Sequence, residues 1–187
     1  MTIDQKNMQL LADMSDCFTE IGLDPLPNRP ESILCVASQF SYEEHYNILI
    51  VATYHPEMEI VEITIHLGMI AKEKRLRVVQ LLNEINCLLA GEHFLLNTKD
   101  GLLSLRAGLP VPGYFLDQGR LKRILHDLMS KSYEYYPLIN DVYCYKKKPQ
   151  SIMRRYLRQT ERRMKEIENE EKETKDENAE KIPPSVH

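Results

Sequence analysis

The chain has 187 residues, 43% of them hydrophobic and 28% charged, with a net charge of −4. That is the composition of a globular domain with room for an appendage, and it sets up no global field favouring nucleic acid or an anionic membrane. The first residues lack the basic start and apolar run of a signal peptide, and the longest apolar stretch, Ile48 to Ala52, is too short to span a bilayer. A cytoplasmic chain with no membrane partner is expected.

Met8, Leu11, Met14, Phe18 and Ile21 recur at steps of three and four, one stripe of an amphipathic helix that Gly22 can end in the left-handed region. Pro25, Pro27 and Pro30 make the next segment an extended connector. Three strand-like runs follow, near 32–40, 45–54 and 58–67. The middle run is apolar on both faces and predicts a central strand. In the third, Val61, Ile63, Ile65 and Leu67 alternate with Glu62, Thr64 and His66, a strand with one wet face. Short polar turns between the runs predict antiparallel neighbours.

A second helix is expected over 71–90, its apolar stripe running through Leu76, Val79, Leu82, Ile85 and Leu89, with Val78 and Leu81 beside it. Strands near 92–97 and 102–109 flank Asp100-Gly101, a pair that supplies the positive φ angles of a tight hairpin. Asp117 can cap a third helix carrying Leu121, Ile124, Leu125, Leu128 and Met129 inward, with Pro137 breaking or restarting it. Tyr133 and Tyr136 are expected in the core, Tyr143 and Tyr145 on the surface. Asn83 and Asn86 sit among inward apolar positions, where an amide can satisfy backbone groups of the hairpin.

The compact domain is expected to end near Tyr145, leaving 146–187 as a charged helical tail with a disordered end. Lys146 to Lys165 holds nine Lys/Arg against one acid, and Glu166 to Lys181 holds eight acids against three lysines. Met153, Leu157, Thr160, Met164 and Ile167 alternate steps of four and three, but two heptads are too few for a coiled coil.

The order of elements, α-β-β-β-α-β-β-α, resembles the class I type III secretion chaperones. The residues themselves resemble the YbjN family of bacterial proteins, labelled sensory-transduction regulators. The resemblance is carried by Leu81-Leu-Asn-Glu-Ile-Asn86, Gly91-Glu-His-Phe-Leu-Leu-Asn-Thr-Lys-Asp-Gly101, Leu105-Arg-Ala-Gly-Leu-Pro110 and Tyr135-Tyr-Pro137. It covers about residues 5–145 and implies an α+β domain, an antiparallel five-stranded sheet packed by helices, often dimeric, with a surface for another chain. The charged tail is not part of that common core.

No catalytic, phosphate-binding or dinucleotide motif occurs. The six histidines show no zinc-ligand spacing, although His66 and His93 could meet if their strands are neighbours. Cys17, Cys35, Cys87 and Cys144 are far apart and expected as free thiols. The reading is a non-catalytic protein-binding module, chaperone-like or regulatory, without cofactor and with a protein partner. Val78, Leu81 and Leu88, as an uncovered margin of the second helix, and Tyr143 and Tyr145 are its contact or dimer candidates. The alternative is a nucleic-acid-associated protein using 146–165, with Lys146, Lys147, Lys148, Arg154, Arg155 and Arg158 on phosphates.

Overall fold

A computed structural model describes residues 2–26, 34–42, 46–145 and 147–180. Pro27, Pro30, the turn at 43–45, Lys146 and the tail end at 181–187 lie outside the described residues. The elements are α1 (Ile3–Glu20), β1 (Cys35–Tyr42), β2 (Tyr46–His55), β3 (Ile60–Met69), α2 (Arg75–Asn86), β4 (His93–Leu96), β5 (Leu102–Pro110), α3 (Gln118–Tyr145) and α4 (Pro149–Glu180). The strands form one antiparallel sheet in the order β1-β2-β3-β5-β4. The α+β class and the order of elements are those the sequence predicts, with a charged helix added at the end.

Alternation sets the two faces of the sheet. Ile50, Ala52, Val61, Ile63, Ile65, Phe94, Leu103, Leu105 and Leu109 are buried and meet α1 and α3 through Met14, Phe18, Leu121, Leu125 and Leu128 in one core. The opposite face aligns Ala37, Val51, Thr64, Arg106 and His93 across all five strands. There Arg106 pairs with Glu62 at 3.5 Å, and Thr64 donates to the same carboxylate at 3.3 Å.

Both sheet edges are partly occupied. On β4, the Asn86 amide donates to the Phe94 carbonyl at 3.0 Å and accepts from its N–H at 2.8 Å. On β1, the Leu26 N–H donates to the Ala37 carbonyl at 2.8 Å, and the Ser38 hydroxyl donates to the Asp24 carbonyl. These bonds satisfy groups that an open edge would offer to another strand. The hairpin turn is fixed by Gly101 at φ +92, where a Cβ would stand 2.3 Å from the Ile70 carbonyl oxygen. Arg75 adds hydrogen bonds to the carbonyls of Ile70, Thr98, Lys99 and Asp100.

Three expectations need correction. The inward face of α2 is Val78, Leu81, Leu82 and Ile85, while Leu76 is 72% exposed. The helix is rotated from the expected stripe because Val78 and Leu81 face the core directly. Pro137 does not break α3, which runs 28 residues through it. Leu121, Leu125, Leu128, Ser132, Tyr135, Ile139 and Val142 keep one buried stripe on both sides of the proline, and that packing outweighs a local cost of about 3 kcal/mol. The same stripe buries Tyr135, leaving Tyr133 43% exposed and Tyr136 half-buried. Beyond Tyr145, Ile152 and Met153 are buried in the same core.

Candidate functional site

β3 ends in a bulge between His66 and Gly68, where its pairing with β5 shifts register. Gly68 has φ +115, and Met69 beside it is 58% exposed. A bulge turns the strand out of the regular ladder. Here it opens a groove against the C-terminal half of α3. Ile70, Ile139 and Tyr143 line one section, about 290 Å³, with Asn140 and Cys144 at its end. A second section, about 220 Å³, is lined by Ile48, Leu49, His66 and Leu102. The two sections adjoin at Leu67, Gly68 and Tyr136, which line both.

The groove is mostly apolar. Its polar groups are few and weakly charged. Burial, then the positive Arg106, lowers the His66 pKa and favours the neutral imidazole. The Cys144 thiol donates to the Asn140 side-chain oxygen at 2.9 Å. Lys74 lies 4.4 Å from the Tyr143 ring centre, a cation over an aromatic face at the rim. Such an arrangement is suited to burying apolar side chains.

The sequence candidates scatter over three regions. Tyr143 lies in the groove, and Tyr145, two residues further along α3, is 68% exposed. Val78 and Leu81 are fully buried, so they form no margin for a partner; of that trio only Leu88 is exposed. Lys147, Lys148, Arg154, Arg155 and Arg158 are exposed around the start of α4. Lys147 and Arg155 both reach Asp141, at 2.9 and 2.6 Å. Burial opposes the Asp141 charge, but these two hydrogen bonds outweigh it and hold the carboxyl below its ordinary range.

No family model matches the chain, and no curated protein matches it. Solved structures with a similar outline include a chain of the ExsC–ExsE complex. It is 12% identical with a TM-score of 0.49, and the match covers 74% of this chain and 97% of that one. A chain of the HopA1–SchA chaperone–effector complex is 15% identical with a TM-score of 0.47, covering 70% of this chain and 94% of that one.

His66 and His93 do not meet, because β5 separates their strands and pairs them with Ser104 and Arg106. Among the described residues no three His, Cys, Asp or Glu gather at metal-binding spacing, and no helix is long and apolar enough to cross a membrane. All four cysteines are free thiols, Cys17 and Cys35 buried and Cys87 and Cys144 exposed. Sequence reasoning missed the groove itself. Gly68 followed by Met69 was the available signal: a glycine and an apolar residue where the clean alternation of β3 stops.

Proposed function

We propose that this chain is a non-catalytic protein-binding module, and that it holds an apolar segment of a partner protein in the groove between α3 and the β3 bulge. The observation that carries this reading is the exposed Met69 at the lip of an apolar depression floored by Leu67 and Ile139. Methionine adapts its shape to varied apolar partners, and Tyr143 adds an aromatic wall with a polar tip. The occupied sheet edges argue against strand addition at Phe94 or Ala37 and favour side-chain anchoring. This is the kind of role, chaperone-like or regulatory, that the YbjN and secretion-chaperone resemblance implies for the domain.

The test compares full-length Met69→Asp and Tyr143→Asp with Leu88→Asp, which alters an exposed leucine outside the groove. Partners are captured from the native host with wild type, one is purified, and its affinity is measured by calorimetry. Each groove variant is expected to weaken it by about tenfold or more, equivalent to about 1.4 kcal/mol, with Leu88→Asp unchanged. Equal affinities across all four proteins, with circular dichroism showing intact folds, exclude the groove.

A further inference from the structure

The groove leaves the long exposed part of α4 unexplained. Ile152, Met153 and half-buried Tyr156 dock the first turns, but every residue from Leu157 to Glu170 is exposed, and the helix continues to Glu180. From Leu157 onward it extends about 36 Å at 1.5 Å per residue. Its charge runs the wrong way for a helix standing alone. A helix dipole favours acids near the N-terminus and bases near the C-terminus. α4 has Arg154, Arg155, Arg158, Arg162, Arg163 and Lys165 in its first half, then eight acids from Glu166 to Glu180. The C-terminal turn has Glu177 and Glu180 where bases would be favoured.

We infer that α4 pairs antiparallel with α4 of a second copy of this chain. In that arrangement the basic half of each helix lies along the acidic half of the other, and the two dipoles oppose. One contact removes both penalties. A parallel pair would set like charges side by side, so the charge order selects the direction as well as the partner. The contact line is available too: Leu157, Met164 and Ile167 are 41%, 54% and 50% exposed, at the three-and-four spacing that faces one neighbouring helix. Arg154 and Arg163 flank that line in the basic half, with the single acid Glu161 between them, and Glu168 and Glu170 flank it in the acidic half. The seam is short and polar at Thr160, so ionic attraction supplies much of the association and salt must weaken it. This inference does not rest on the groove.

Sedimentation equilibrium on the full chain tests it. Wild type at low salt is expected at twice 21.9 kDa, returning to 21.9 kDa as salt rises. Arg154→Glu/Arg158→Glu/Arg163→Glu makes α4 mostly acidic, and Glu166→Arg/Glu168→Arg/Glu173→Arg makes it mostly basic. Each variant alone is expected to dissociate about tenfold or more readily than wild type. An equimolar mixture of the two is expected to regain the dimer. The substituted arginines and Glu166 and Glu168 are exposed, and circular dichroism checks that the helix persists. A wild-type monomer at low salt and tens of micromolar overturns the inference, as does a dimer that survives both reversals or a mixture that stays monomeric. A monomer that shifts mass only when short RNA is added assigns the arginines to nucleic acid instead, and also overturns it.

Discussion

Asn86 shows what a single side chain contributes. Its amide meets both the N–H and the carbonyl of Phe94, so it joins the end of α2 to the edge strand and stands where a foreign strand would bond. Asn86→Ala leaves two backbone groups without partners and should lower stability by about 1–3 kcal/mol in urea unfolding. Asn83→Ala, at an exposed position, should stay within about 0.5 kcal/mol. Equal effects at the two sites would refute the clamp. The sequence made one of these amides legible, because asparagine among apolar helix positions needs a polar partner. It could not separate them. They sit three apart, near enough on a helix that a modest error in phase exchanges inside for outside, and the stripe drawn through Leu76 carried such an error.

At the scale of elements, local rules and packing compete, and packing decides the differences. Pro137 signals a helix end, yet α3 carries its inward row from Leu121 to Val142 without a break, and the proline lies on the exposed side. Following that row from Leu128 through Ser132 places Tyr135 inside before the proline is reached. The groove was harder to see, since it needs the β3 bulge and the far half of α3 brought together. The charge of α4 dominates its composition and predicts a helical tail. Its first turns pack against α3: the Tyr156 hydroxyl donates to the Glu134 carboxylate at 2.5 Å and lies 3.2 Å from the Tyr135 hydroxyl, within hydrogen-bond distance. Burial first, then the Glu134 bond, raises the Tyr156 pKa far above its ordinary value. Ending the chain after Lys148 removes Ile152 and Met153 and should cost about 3–6 kcal/mol, at about 1.5–3 for each buried side chain. Ending it after Ile167 should cost less than about 1 kcal/mol, because Glu168, Asn169 and Glu170, which begin the removed segment, are exposed. Both are measured by urea unfolding at high salt, where association through α4 is suppressed. Equal losses would mean that the distal helix packs on the body.

Across the whole molecule, a net charge of −4 conceals a separation of charge along one helix. A polyanion approaching the arginines of α4 meets the acids of the same helix within a few turns, and in the antiparallel pair it meets the partner's acids as well. The full chain should therefore bind short RNA or DNA no tighter than a non-specific protein, at roughly 10⁻⁴–10⁻⁶ M in physiological salt. Eight acids and three lysines lie between Glu166 and Lys181, so ending the chain after Lys165 takes the net charge from −4 to about +1. Fluorescence anisotropy should then show tighter binding with a steeper dependence on salt. In that shortened chain, Arg154→Ala, Arg155→Ala and Arg158→Ala together should weaken binding equally for all base sequences. A sub-micromolar, salt-sensitive complex formed by the full chain would reverse the order of the two functional readings. It would make the basic half of α4 the principal site and the groove beside α3 secondary.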